Sequence, residues 1–203
     1  MRKYILFLSF FLFSSDSFSQ DIMHALRTGY GLSSTVANTP KLKKMLANSL
    51  KGQDYYMEQR STGISFLSYH YDFESPFISM GITYAFEMRT GGVFKNDETT
   101  EETIIKTGTG DFTKAFHTVA AEVRYDYYQK KSFAIYALGG MGATFQKENY
   151  HPADSKATET GSSIFFNYQL TPIGIKYGDT FVVFGEVGFG YKGLFTMGVS
   201  FAF

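Results

Sequence analysis

The sequence predicts an all-β fold: eight antiparallel strands closing into an up-and-down transmembrane β-barrel, with one short amphipathic helix in the first extracellular loop. Three observations lead there. First, residues Leu194 to Phe203 alternate strictly. Phe195, Met197, Val199, Phe201 and Phe203 are bulky and apolar, while Thr196, Gly198, Ser200 and Ala202 are small or weakly polar. A period of two gives an extended strand one apolar face, and about 9–11 residues is the length with which a tilted strand crosses a bilayer. Second, aromatic residues make up 18% of the chain and glycines number 20, yet the mean hydropathy is only −0.14. That combination arises when only alternate residues face lipid. Third, similar alternating segments recur along the chain, joined by links that are short and long in turn.

Residues 1–20 read as a signal peptide. Met1, Arg2 and Lys3 are followed by the apolar run Tyr4 to Phe13, and Ser17-Phe18-Ser19 offers small residues, Ser17 and Ser19, at the two positions a signal peptidase reads. The run is too short for a transmembrane anchor, which needs roughly 20 apolar residues. The mature domain is then residues 21–203. With no cysteine there is no disulfide framework, thiolate metal site or lipoprotein acylation site. Lys and Arg total 19 against 19 Asp and Glu, so no excess of positive charge argues for nucleic acid.

The strands follow in order. Ile22 to Ser34 is the least regular. Thr62 to Phe73 shifts phase near Phe66 and Leu67. Phe77 to Arg89 is the clearest, with Ile78, Met80, Ile82, Tyr84, Phe86 and Met88 on one face and Ser79, Gly81, Thr83, Ala85, Glu87 and Arg89 on the other. Thr118 to Tyr128 places Val119, Ala121, Val123, Tyr125 and Tyr127 outward, with Ala120, Glu122, Arg124 and Asp126 inward. Phe133 to Phe145 is blurred by Gly139, Gly140 and Gly142. Ile164 to Tyr177 changes phase at Thr171-Pro172, where a bulge or kink is expected because proline cannot donate to the ladder. Thr180 to Gly190 turns Glu186 inward, and Leu194 to Phe203 completes the set. Glu74-Ser75-Pro76, Gln129-Lys130-Lys131 and Gly178-Asp179 read as tight periplasmic turns. Val36 to Arg60, Gly91 to Thr113 and Gln146 to Gly161 read as long extracellular loops, with Tyr191-Lys192-Gly193 a short one.

The signal peptide, the segment Phe184 to Gly193 and the ending Gly198-Val199-Ser200-Phe201-Ala202-Phe203 resemble small outer-membrane barrels of the OmpX/OmpA kind, particularly the barrel-only proteins of Bacteroidetes. The resemblance covers the whole mature chain in architecture and only the last quarter in motif. It implies location in the bacterial outer membrane and insertion by the barrel-assembly machinery, with Phe201 and Phe203 in the assembly signal, and it carries no catalytic residues across.

The candidate site is a polar network in the lumen: Glu87, Arg89, Glu122, Arg124, Asp126 and Glu186, with Arg27, His70, Asp72 and Lys176 beside it. Glu87 and Arg89 are expected to face Glu122 and Arg124 across one strand pairing. An eight-stranded barrel is filled by side chains, so these charges read as a paired core rather than a path for solute. Ser68, His70, Asp72 and Glu74 share a face by period two alone, in outward likeness to a lipid A deacylase. Their placement by the periplasmic turn, on the lumen side, argues against catalysis. His24, His117 and His151 have no companions at ligand spacing, so neither a metal nor a cofactor is expected. Leu42, Met45, Leu46 and Leu50 recur at helical spacing among Lys41, Lys43, Lys44 and Lys51, giving an amphipathic helix for the outer leaflet or the barrel rim. Tyr69, Tyr71, Tyr125, Tyr127, Tyr177 and Tyr191 are expected in interfacial girdles. The functional expectation is a monomeric structural or surface-interaction barrel, in contact with outer-membrane lipid and lipopolysaccharide. A lipid-modifying enzyme, a narrow channel and a soluble barrel with its apolar faces inward are the competitors.

Overall fold

The computed structural model describes residues 23–34, 55–73, 77–97, 105–153 and 158–203. The signal-peptide stretch, the amphipathic segment Lys41 to Lys51 and Glu74 lie outside the described residues. Eight strands follow one another: β1 (Met23–Leu32), β2 (Tyr55–Asp72), β3 (Ile78–Asp97), β4 (Ile105–Lys130), β5 (Phe133–Pro152), β6 (Glu159–Gly178), β7 (Phe181–Gly190) and β8 (Phe195–Ala202). Each pairs antiparallel with the next, and β8 returns to β1, so the order is a closed ring. The seam runs from Ala25↔Ala202 to Leu32↔Phe195. Beyond it His24 and Phe203 exchange backbone hydrogen bonds of 2.9 and 2.8 Å. Closure leaves no free sheet edge at this level, as backbone crossing lipid requires.

The faces are inverted relative to a soluble protein. On β3, Ile82 is 61% exposed and its neighbour Thr83 is 2% exposed. The same contrast sets Phe166 and Met197 outside against Glu122, Arg27 and Thr144 inside. In water, an apolar belt encircling the molecule would be far larger than the few hundred Å² soluble monomers expose. In lipid it is the required exterior. The competing soluble barrel, which needs apolar residues inside, is excluded by this pattern.

Two irregularities position the lumen residues. The change of phase at Pro172 is present as a register shift between Leu170 and Ile173 against β7. The shift expected in β2 at Phe66 and Leu67 lies elsewhere: it falls between Ser61 and Ile64, at Gly63, whose φ is +77°. From Ile64 onward the alternation is regular, and Phe66 points into the lumen against Phe184, with ring centroids 6.3 Å apart. An apolar residue inside the barrel is what made Phe66 look like a change of phase.

The larger difference concerns length. Much of what reads as long loop is strand: β3 continues to Asp97, β4 begins at Ile105 and β5 continues to Pro152. β1 pairs with β2 only as far as Gly31↔Ile64, and β7 with β6 only as far as Gln169↔Gly190. The distal parts of β2 to β6 therefore rise as a five-stranded blade from the end of the barrel opposite the termini. Strands of 18 to 26 residues exceed the roughly 9–11 that a bilayer needs.

Candidate functional site

The lumen holds polar side chains in tiers. Nearest the termini, Arg124 bonds Asp72 and Asp126, each at 3.0 Å, and Lys176 reaches Asp126 at 2.5 Å. Above them Arg27 from β1 bonds Glu186 from β7 at 2.7 Å, and the Tyr136 hydroxyl donates to the same oxygen at 2.8 Å. The Arg27 guanidinium also lies 4.1 Å from the Phe184 ring centroid, so the cation is held by a carboxylate, a phenol and an aromatic face together.

The central tier is built on Glu122. Lys192 Nζ lies 2.7 and 2.8 Å from its two oxygens, the Tyr191 hydroxyl donates at 2.7 Å, and His70 Nε2 approaches at 3.2 Å. Lys192 is fully buried, although it belongs to the turn between β7 and β8. That turn folds into the barrel instead of standing above it. Gly190 (φ +135°) and Gly193 (φ +94°) supply backbone conformations that side-chain-bearing residues rarely adopt. The Gln169 side chain accepts from the Lys192 amide at 2.8 Å, and the Thr196 hydroxyl donates to the Lys192 carbonyl at 3.1 Å. On β1, a Cβ at Gly31 would come within 1.8 Å of that carbonyl oxygen. Glycine is thus what lets the turn lie this close.

Farther from the termini, Glu87 is bonded by Arg89 at 2.7 Å and by Ser61 at 2.7 Å. Lys114 lies 3.6 Å from Glu148. Val93, Phe112 and Tyr150 then form an apolar cluster inside the blade.

All six lumen residues anticipated from sequence are buried: Glu87, Arg89, Glu122, Arg124, Asp126 and Glu186. They do not make one network. The expected facing of Glu87 and Arg89 with Glu122 and Arg124 does not occur, because Glu87 pairs with Phe116 and Arg89 with Lys114, whereas Glu122 meets Gly81. β4 begins well before the expected Thr118, so Lys114 and Phe116, which lie between the expected loop and the expected strand, become the true partners. Tyr191, expected in a lipid-facing girdle, is 1% exposed in the lumen. Tyr69, Tyr125, Tyr127 and Tyr177 are exposed on the exterior as expected. Ser68 and His70 are buried and bonded to different partners, Ser68 to Thr83 at 2.7 Å and His70 to Glu122.

The architecture has solved counterparts. Ail, the attachment invasion locus protein of Yersinia pestis, in complex with the heparin analogue sucrose octasulfate, aligns over 91% of this chain and 100% of its own with a TM-score of 0.50 and 13% identity. The fold is that of a small eight-stranded outer-membrane barrel. Ail solved without that ligand aligns over the same shares with a TM-score of 0.47 and 12% identity. No family model matches the chain, and no curated protein sequence does.

Sequence reasoning missed Lys192, Tyr191, Lys114, Glu148 and Gln169 as lumen residues. For Lys192 the available signal was its setting between two nearby glycines, which also fits a solvated turn. Among the described residues, no group of three or more His, Asp or Glu is placed to hold a metal ion.

Proposed function

We propose that the chain is an integral protein of the bacterial outer membrane, exported through residues 1–20, that acts without catalysis as a structural or surface-interaction barrel. The observation that supports this is the blade. β2 to β6 continue beyond the apolar belt while β1, β7 and β8 stop near it, and the outward positions change from Phe145 and Ile164 to Lys147, Asn149, His151, Asp111 and Thr113. The termini lie at the opposite end, which in this reading is periplasmic, so the blade is extracellular. A rigid sheet held above the membrane suits contact with a partner.

Against catalysis stands the placement of Ser68 and His70 inside the barrel, away from any lipid substrate. The likeness to Ail supports the fold alone, and the heparin analogue bound there carries over no ligand. The test is a barrel in which Gly92 to Asp111, paired at its two ends, is replaced by an Asn-Gly turn. Cells carrying it should keep a heat-modifiable barrel while their adhesion to matrix-coated surfaces falls to that of cells lacking the protein. Adhesion that is unchanged by the deletion, or absent with the full barrel, would sink the surface-interaction reading.

The second reading, a narrow channel, has one observation in its favour. A cavity of about 390 Å³ opens at the terminal end, lined by Arg27, Arg124 and Lys176 among others. Neither Glu122 nor Lys192 lines it, so the cavity stops short of the central tier.

A further inference from the structure

The turn between β4 and β5 carries an outward aromatic group with two lysines beyond it. In β4 the register shifts between Asp126 and Tyr128, so the consecutive residues Tyr127 and Tyr128 are both outward, 47% and 46% exposed. A bulge of this kind re-aims a side chain that regular alternation would turn inward. Beside them stand Phe133, edge-on to Tyr128 at 6.3 Å, and Tyr177, the cross-strand partner of Phe133. Lys130 and Lys131, both exposed, lie immediately beyond this aromatic group. The exposed acid of the neighbouring turn, Asp179, accepts from the Ser132 hydroxyl at 3.1 Å. Among the described residues, the nearby cations Arg124 and Lys176 are committed to Asp72 and Asp126. Among the described residues of this turn and the β6–β7 turn beside it, two exposed lysines stand against one exposed acid, so the outer rim here is positive.

Lys131 also occupies a position that disfavours it. Lys131 and Ser132 form a two-residue turn closed by the pair Lys130↔Phe133, and Lys131 has φ +50°. Glycine is the usual residue at such a position, and a side-chain-bearing residue there carries a conformational cost. A lysine at that cost is consistent with a use for its charge.

We propose that Lys130, Lys131 and the Tyr127, Tyr128 and Tyr177 hydroxyls form a binding site for an acidic glycerophospholipid, its acyl chains along the β4–β6 exterior and its phosphate at the lysines. Ammonium groups suit phosphate as point charges, and tyrosine rings lie at headgroup depth with the ring in the apolar layer and the hydroxyl in the wet one. Because the lysines are at the terminal end, the partner is a phospholipid of the periplasmic leaflet and not lipopolysaccharide. This choice of leaflet rests on the orientation proposed above.

The test is native mass spectrometry of the folded barrel in neutral detergent, titrated with equal amounts of phosphatidylglycerol and phosphatidylethanolamine and, separately, with purified lipopolysaccharide. Phosphatidylglycerol should be retained in preference to both. The variant K130Q/K131Q should lose that preference by about fivefold per lysine while its heat-modifiable band is unchanged. Equal retention of the two phospholipids, or undiminished preference in the double variant, overturns the site in a barrel that is still folded. Preferential retention of lipopolysaccharide overturns the leaflet assignment. Failure to form a heat-modifiable barrel in any lipid counts instead against the membrane reading.

Discussion

Glu122 shows how much of the interior depends on single side chains. It is 1% exposed and meets Lys192, Tyr191 and His70 at once. Removing its charge leaves a buried ammonium without a counter-ion, whereas replacing both ions by apolar groups removes the desolvation cost with the attraction. Glu122→Gln is therefore expected to lose about 3–5 kcal/mol, and the pair Glu122→Leu with Lys192→Met to lose far less. Urea titrations of the barrel folded in vesicles would read both, and a double variant as unstable as the single one would contradict this account. The exterior obeys the opposite rule. Arginine at Ile82 should cost roughly 2–4 kcal/mol as a cation facing lipid. Thr83→Ser, one residue away and inside, keeps a hydroxyl for its bond to Ser68 and should cost little. The reverse order in the same titrations would invert the faces.

At the level of elements, the β7–β8 turn closes the lumen from within. Replacing Tyr191 and Lys192 by glycine should join the terminal cavity to the space above it. Planar bilayers would then register small-ion conductance for the variant and none for the parent; a silent variant would mean that other tiers suffice to seal the bore. The strands inside the apolar belt were legible from sequence because one face of each, such as Ile78 to Met88, is uniformly apolar. The blade was not. From Asp111 to Phe116 the outward residues are Asp111, Thr113 and Ala115, and the inward ones are Phe112, Lys114 and Phe116. Neither face is uniform, since water covers one side and a mixed interior fills the other, so the period-two signal disappears where the lipid ends. The lumen charges on belt strands were legible for the converse reason: Glu122, Arg124 and Asp126 interrupt an otherwise apolar pattern at every second position. Lys192 had no strand to lend it a phase.

For the whole molecule, closure joins the two ends of the described chain. His24 stacks on Phe203 and on Tyr69, each at 5.8 Å, linking β8, β1 and β2 on the outside of the seam. Deleting Phe203, or replacing it with Asp, should leave protein that is exported but not assembled, seen as loss of the heat-modifiable band in membrane fractions together with periplasmic accumulation. Normal surface levels would refute a part for Phe203 in assembly.

The three shortest strands, β7, β8 and β1, with 10, 8 and 10 residues, are contiguous around the ring, while the strands opposite run to 26. The wall is thus mechanically uneven. Strands leave a barrel under tension by breaking the ladders on their two sides, and the ladders of β8 are short on both. A barrel drawn from its carboxyl terminus should therefore yield first on this thin side. The thick side, where β3 to β5 share their longest ladders, should hold as a single block until it fails at higher force.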